Sequence, residues 1–398
     1  MSSRVFVAGV GVISAIGNNT AECFAALKNS RAGMGSIRYL DSIHRNKIPV
    51  AEVKLSNDEL ASRTGLSPEI SRTALLGLQA AREALDDAGL EGLSSLRTGF
   101  VSANTVGGMD KSEQFFADFL RDNKMGRLRD VVNHECGSVS ELVADQLGIR
   151  HYVTTISTAC SSSANSIFFG AKLIRHNFLD VVIAGGADAL TKFTLNGFNT
   201  LMILDHEYCK PFDENRKGLN LGEGAGYVVL VSERVASLTK KELYCTVSGY
   251  FNANDAYHQT ASSPDGTGSL LAMKGALERS ALKPSDIDYI NLHGTGTQNN
   301  DIAEGTAIKN LFYPAYPKMS STKSFTGHTL GASGGLEAVF SALAVKNNVV
   351  YPNLRLTTPM KELPFVPETR FQEVPVRNVL SNSFGFGGNC SSLIFSKS

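Results

Sequence analysis

Residues 152–188, YVTTISTACSSSANSIFFGAKLIRHNFLDVVIAGGAD, decide how the chain is read. Tyr152–Ile156 is rich in β-branched residues and too short for a helix, which predicts a strand. Ser157, Thr158 and Ala159 are small and lead to Cys160, and four more small residues, 161–164, follow. Apolar residues then recur at Ala164, Ile167, Phe168, Ala171 and Ile174, the stripe of an amphipathic helix. Residues 180–184 predict a second apolar strand, closed by Gly185 and Gly186. Cys160 therefore falls where a strand turns into the N-terminus of a helix.

Unpaired amide N–H groups and the positive end of the helix dipole favour a thiolate at such a position. Small neighbours let a substrate carbonyl approach the sulfur, and the same N–H groups can hold an oxyanion. The competing assignment is a small buried hydrophobe, the usual fate of a free cysteine. This stretch alone leaves both open.

Composition narrows the classes. A chain of 398 residues buries one large core or two ordinary ones. Lys plus Arg and Asp plus Glu are equal at 38 each, so no net field draws nucleic acid or an anionic membrane. Six cysteines (23, 136, 160, 209, 245, 390) are scattered without a C-x-x-C pair, which fits neither a disulfide framework nor a zinc ribbon and suits the reducing cytoplasm. No apolar run has the length of a membrane span. Residues 5–16 after Arg4 mimic a signal peptide, but no small-x-small site closes them, and a buried first strand is the expectation.

Along the chain, Gly9 and Gly11 begin a dinucleotide fingerprint that fails at Ser14. Thr20 is the expected cap of a helix over 21–28, and Gly89 stops a helix over 68–88. A strand is expected over 97–103, a glycine loop over 104–110, a helix over 111–121 and another in the second half of 128–147. Gly222, Gly224 and Gly226 precede a strand over 227–231. From about residue 241 the chain repeats itself in order. YCTVSGYFNA (244–253) resembles the N-terminal strand and its glycines, and AMKGALERSAL (272–282) resembles AAREALDDAGL (80–90). GASGGLEAVFSALAVK (331–346) resembles CSSSANSIFFGAKLIR (160–175), and SFGFGGNCSSLIFS (383–396) resembles NLGEGAGYVVLVSE (220–233). Four similarities in one order imply a duplicated half, with residues 1–240 and 241–398 as the two units of a layered α/β fold and sites where they meet.

In the second unit His293 follows a strand directly, in NLHGTGTQNND, and its glycines leave room for a ligand beside the imidazole. Thr295 and Thr297 add hydroxyl donors. His328 lies in STKSFTGHTLGASGG, five residues after Lys323 and just before a small-residue helix start on which Glu337 falls. Two histidines at glycine-flanked element ends point to one shared site. Residues 331–335, GASGG, match the G-x-S-x-G elbow of serine hydrolases. That elbow needs a preceding strand and a later histidine, and SFTGH is a poor strand while His328 is the last histidine. No phosphate loop and no metal-ligand spacing of histidines occurs, so no metal is expected.

Together TACSSS (158–163), KPFDENRKG (210–218) with GEGAG (222–226), DAYHQT (255–260), HGTGT (293–297), STKSFTGH (321–328) and NSFGFGGN (382–389) resemble the β-ketoacyl-acyl-carrier-protein synthases of the thiolase superfamily. The synthase II and polyketide ketosynthase group is the nearest likeness, over nearly the whole chain. The resemblance implies a thiolase-like α-β-α-β-α fold of five layers, each β layer from one half, and a homodimer, with a heterodimer with a chain-length subunit as the other arrangement. It implies that Cys160 takes an acyl group from acyl carrier protein and that malonyl-acyl carrier protein then loses carbon dioxide and condenses with it. His293 and His328 would stabilise the enolate, Lys323 would hold a histidine with Glu337 as its partner, and the Cys160 and Phe386 N–H groups would form the oxyanion hole. Thr295 and Thr297 would bind the phosphopantetheine arm that carries the substrates, no cofactor being needed, and Phe386 and Val106 would gate the acyl pocket.

Four departures bear on the acyl group. Gln298 stands where the family usually has proline, Leu219 where phenylalanine is common, 198–211 is short and 132–139 is polar. A fatty acid pathway and a specialised polyketide or polyene pathway both remain open. So do two other functions: a thiolase working on coenzyme A thioesters, with Cys390 as acid/base, and a chain-length-determining partner of another synthase.

Overall fold

The computed structural model describes residues 4–90 and 95–398. Ten strands form one sheet: β1 (Val5–Ser14), β2 (Thr98–Ala103), β3 (Tyr152–Ile156), β4 (Val181–Asp188), β5 (Gly224–Ser232), β6 (Cys245–Asn254), β7 (Tyr289–Asn291), β8 (Lys318–Ser320), β9 (Asn378–Phe384) and β10 (Asn389–Ser396). The helices that position the site are α1 (Thr20–Lys28), α2 (Arg72–Ala88), α3 (Met109–Arg121), α4 (Cys136–Gln146), α5 (Ser162–Arg175), α6 (Lys192–Thr200), α7 (Thr267–Ser280), α8 (Gln298–Phe312) and α9 (Ser333–Asn347).

The strand order is β3-β2-β4-β5-β1-β6-β10-β9-β7-β8. Reading outward from the centre, β1 and β6 each pair antiparallel with β5 and β10, which pair antiparallel with β4 and β9. Those in turn pair parallel with β2 and β7, which pair parallel with β3 and β8. The two sections thus repeat one pairing scheme, and β1 pairs with β6 at Phe6↔Thr246 and Val7↔Cys245 to join them.

Side chains alternate across β1 on either side of a register shift between Val7 and Gly9, which moves the even-numbered residues after it to the face that the odd-numbered ones hold before it. Val5, Val7, Val10 and Val12 face a core containing Ile167, Ala171 and Ile174 of α5 and Leu336, Val339 and Phe340 of α9. Phe6, Ala8 and Ile13 face Leu75, Leu78, Ala81 and Ala84 of α2. On the other section, Ile290, Leu380 and Ile394 pack against Met273, Ala276 and Leu277 of α7 and Ile308 and Phe312 of α8. Five layers result: α2, the first sheet section, α5 with α9, the second section, and α7 with α8.

Several local expectations are corrected. The run beginning at Val5 is the buried strand that was expected, and only its glycines differ from their reading. Its Gly9 and Gly11 serve packing, since a Cβ there would meet the Ala84 and Ala80 carbonyl oxygens at 2.3 and 2.1 Å. Asn19, not Thr20, caps α1 by accepting from the Glu22 N–H, while the Thr20 N–H is taken by Glu83. Helix α2 starts at Arg72, because Ser71 accepts from the Ala74 N–H and sets its first turn. Gly224 and Gly226 lie inside β5 rather than before it. Among the described residues, no helix is long and apolar enough to cross a membrane.

Candidate active site

The turn carrying Cys160 is held from several sides. Strand β3 ends at Ile156 and α5 begins at Ser162. Between them Ala159 adopts φ 53°, the left-handed region that costs a side-chain-bearing residue energy. The Thr158 N–H donates to Ser162 Oγ at 2.7 Å, and Ser162 Oγ donates to the Ala159 carbonyl at 2.6 Å. Ser163 Oγ accepts the Gly335 N–H at 2.7 Å, and a Cβ on Gly334 would meet Ala164 N at 2.8 Å. The small residues after Cys160 therefore seat the start of α5 on the start of α9, and Ser162, Ser163 and Ala164 are buried.

Cys160 is buried, and burial pushes its thiol up to about 11. The Phe386 N–H, the Lys323 charge and the Cys160 N–H all pull the other way without overcoming desolvation. The thiolate expected from the helix start is thus not the resting form. Cys160 stands two residues ahead of the first helical residue and is enclosed by protein, and loss of hydration penalises the anion.

His293 follows β7, and His328 lies between a single helical turn, Lys323–Thr326, and α9. Their rings meet edge to face with centroids 5.5 Å apart. Both are buried, and burial, reinforced by the Lys323 charge, holds both well below the ordinary histidine range. They are neutral at pH 7, and the partner of each Nδ1 decides which nitrogen carries the proton. Lys323 Nζ lies 3.3 Å from His293 Nδ1, and an ammonium can only donate, so the His293 proton sits on Nε2. Ser333 Oγ lies 2.9 Å from His328 Nδ1 and 3.1 Å from Thr329 Oγ1.

Lys323 Nζ also donates to Glu337 Oε1, both side chains being almost wholly buried. Burial raises the Glu337 carboxyl to about 7 even against the adjoining ammonium. The pair stands behind the histidines rather than on the cavity wall.

A cavity of about 270 Å³ collects Cys160, His293, His328, Thr295, Thr297 and Phe386 in its lining. Thr295 and Thr297 hydroxyls are 3.0 Å apart. Phe386 stacks on Phe198 at 5.8 Å. Leu219 and Gln298, the departures noted in sequence, also line it. Val106 does not. It is buried in a neighbouring apolar cluster with Leu190, Leu195 and Leu330, and its N–H is fixed by Asp188. The room beside His293 also has another cause than expected. Gly294 and Gly296 have φ 33° and 84°, and a Cβ on Gly294 would meet Ser321 Cβ at 2.6 Å, so these glycines answer to backbone shape and protein packing. Cys390 lies off the cavity, packed with Phe384 and Ala272, and burial pushes its thiol up to about 12. Among the described residues, no cluster of three or more His, Cys, Asp or Glu side chains is arranged to hold a metal ion.

Three supporting residues escaped the sequence reading. Glu304 on α8 accepts the His293 and Gly294 N–H groups at 2.9 and 2.8 Å and an Asn382 amide at 3.0 Å. Asp188, the last residue of the deciding stretch, accepts from Thr105 and Val106 on one side and from the Gly331 N–H at 2.7 Å on the other. It ties the loop after β2 to the loop carrying His328. Ser333 belongs to the rejected serine-hydrolase motif, and no strand precedes it. Its contact with His328 was findable as a hydroxyl five residues on across a tight turn.

Two family descriptions match the chain: "Beta-ketoacyl synthase, N-terminal domain" over residues 2–236 and "Beta-ketoacyl synthase, C-terminal domain" over 244–357. The chain is 34% identical over 414 aligned positions to 3-oxoacyl-[acyl-carrier-protein] synthase 2 of Staphylococcus aureus strain N315, covering 100% of this chain and 99% of that one. It is 32% identical to the protein of the same name from Coxiella burnetii, covering 99% and 98%. The solved ishigamide ketosynthase/chain length factor superposes with TM-score 0.95 at 30% identity, covering both chains fully. A ketosynthase, ApeO, in complex with its chain length factor, ApeC, from Xenorhabdus doucetiae gives 0.86 at 29%, covering 100% of this chain and 98% of that one. With a buried cysteine and two neutral histidines on one cavity wall, and matches that run the length of the fold, the chain belongs to the beta-ketoacyl synthase family.

Proposed function

We propose that the protein is a β-ketoacyl-acyl-carrier-protein synthase that elongates an enzyme-bound acyl group with malonyl-acyl carrier protein. The observation that carries this is the convergence of Cys160, His293 and His328 on one cavity, with Lys323 bonded to His293 from behind. Cys160 Sγ attacks the acyl thioester, the new C–S bond replacing the old, and the departing carrier sulfur takes the thiol proton. The N–H groups of Cys160 and Phe386 face the sulfur and hold the oxyanion. Malonyl carrier protein then loses carbon dioxide. The Nε2–H groups of His293 and His328 hydrogen-bond to the thioester oxygen as enolate charge grows, and the enolate carbon attacks the acyl carbonyl on Cys160. The new C–C bond replaces the C–S bond, and the expelled Cys160 sulfur regains its proton from water. Neutral histidines suit this role, being donors that need not lose a proton. Lys323 fixes the His293 tautomer, Glu337 anchors Lys323, and Ser333 orients His328. Thr295 and Thr297 bind the phosphopantetheine arm, and Phe386 against Phe198 closes the entrance; Val106 shapes the wall only through its cluster.

The site needs no cofactor beyond the arm its substrates bring. The thiolase alternative would use Cys390, which stands off the cavity. A purely chain-length-setting subunit would have no use for this cysteine and histidine constellation. We further propose a homodimer built from the two-unit chain divided near residue 240. In its support, β3 closes the sheet with a neighbour on one side only, and all five of its residues are half-buried, an edge suited to pairing with a second copy. The solved ketosynthases with chain length factors favour a heterodimer as the second arrangement. All six cysteines are free, which supports a reducing, cytoplasmic setting. The test is carbon dioxide release from malonyl-acyl carrier protein by the acyl-loaded protein, with a product two carbons longer. Condensation of coenzyme A thioesters without carbon dioxide release would overturn it.

A further inference from the structure

Asp188, the last residue of β4, is wholly buried, and among the described residues no lysine or arginine pairs with its carboxylate. Its oxygens are filled by backbone and hydroxyl donors instead. Oδ1 accepts the Thr105 and Val106 N–H groups at 2.8 and 3.1 Å. Oδ2 accepts the Thr105 hydroxyl and the Gly331 N–H at 2.7 Å each. Only a carboxylate can accept from all of them, because an asparagine in its place would turn an NH2 group toward two of the donors. Gly331 is held close: an added Cβ there would meet Asp188 Oδ2 and Thr105 Cγ2 at 2.8 Å each.

This anion works against a thiolate at Cys160. It helps to raise the Cys160 thiol, and it raises Cys136 and Tyr227, the other titratable groups facing it, as well. Glu223, the next carboxylate along, takes the Leu190 N–H and is paired with Arg72. A charge that hinders the nucleophile has its use in the other half-reaction, and His328 shows where. The His328 backbone is clamped on one side, its N–H donating to the Asn220 carbonyl at 2.8 Å and its carbonyl accepting the Gly222 N–H at 2.9 Å. Its ring meets Ser333, five residues on. Between clamp and serine the chain passes through Leu330, at φ 53°, and Gly331, whose N–H is taken by Asp188. That bond fixes where Ser333 stands relative to the clamp, and hence how the His328 ring is aimed.

We propose that Asp188 is a positioning residue for carbon dioxide release, setting His328 through the Gly331 N–H. The proposal rests on the ketosynthase assignment. Asp188 touches no substrate and acts only through the loop it holds. Burial raises its carboxyl to about 6, still below an assay pH of about 8, so the accepting anion is the form present there.

The test is Asp188→Asn, with Gly331→Ala breaking the same bond from its other end. Two half-reactions are followed at about pH 8: acylation of Cys160 by an acyl-acyl carrier protein, and carbon dioxide release from malonyl-acyl carrier protein by the fully acylated protein. Each variant should lose about 10- to 100-fold in kcat for carbon dioxide release, as for a small misplacement of a catalytic group, while acylation stays within about three-fold. The double variant should match the poorer single one within about two-fold, since both remove one interaction. Asp188→Asn should also shift the pH profile of iodoacetamide alkylation at Cys160 to lower pH, because an anion has left, and Gly331→Ala, which keeps the anion, should not. A loss of packing alone would not separate the two variants in this way. Equal losses in both half-reactions, additive losses in the double variant, unchanged carbon dioxide release in either variant, or the same alkylation profile in both would overturn the proposal. If Asp188→Asn does not fold, the half-reaction split in Gly331→Ala decides. If the wild-type protein is neither acylated nor releases carbon dioxide, the ketosynthase assignment fails, and the proposal with it.

Discussion

Cys160 should behave as an unusually weak acid in the resting protein. The structure pushes its thiol up to about 11, burial outweighing two N–H groups and the Lys323 charge. Against an ordinary thiol near about 8.5, the thiolate fraction at pH 7.5 falls from about one in ten to about one in 3,000, a loss of about 300-fold. The direction follows from the sign: a raised value keeps the proton on sulfur to higher pH, so reactivity climbs with pH for longer. The assay is iodoacetamide alkylation of the Cys160 peptide, followed by mass spectrometry from about pH 6 to pH 10. Access alters the absolute rate but not its pH profile, so the profile is the readout. The rate should rise about ten-fold per pH unit across that range without levelling. Lys323→Met removes a charge that lowers the value, and should slow alkylation at every pH in the range. A plateau near pH 7 would refute this balance and restore the thiolate expected from the helix start.

Other outcomes follow from the same geometry. His328→Ala should still allow Cys160 to be acylated but lose about 10²–10³ in carbon dioxide release, as for loss of one charge-stabilising donor; equal losses in both half-reactions would contradict the division of roles. Glu223, wholly buried, accepts from the Arg72 guanidinium and from the Val53 and Leu190 N–H groups. Glu223→Ala strands that buried cation and should cost about 3–5 kcal/mol in denaturant unfolding, and a loss under about 1 kcal/mol would show that the pair is dispensable. Cys390→Ala should leave condensation within about two-fold, because a group off the cavity makes no transition-state contact; a large loss would revive a thiolase-like role.

Much of the fold was legible because its units are short and chemically distinct. The β-branched run at Tyr152–Ile156 is a strand with those bounds, and the stripe from Ala164 to Ile174 lies on the buried side of α5. The repeated motifs correspond to sheet sections with the same pairing order. Depth was not legible. Periodicity said that Cys160 sits near a helix start but not that protein would enclose it, and enclosure reverses its acid strength. The small residues at 161–164 and 333–335 look alike whether they admit a substrate or let two helices touch, and here they do the latter. Long-range partners left equally little trace. Nothing in the spacing of Asp188 to Gly331, or of Glu304 to His293, says that a carboxylate will accept those particular N–H groups. Val106, for which the resemblance implies a place at the pocket gate, lies in an apolar cluster with the cavity-lining Leu219, and its loop is pinned by Asp188.

The most direct test of the central claim is peptide-mapped intact mass after mixing the protein with acyl carrier proteins bearing acyl groups of varied length. The account predicts a single acyl adduct on Cys160, absent from Cys160→Ala, with one preferred acyl group. No adduct from any carrier protein, with coenzyme A thioesters acylating the protein instead, would contradict it.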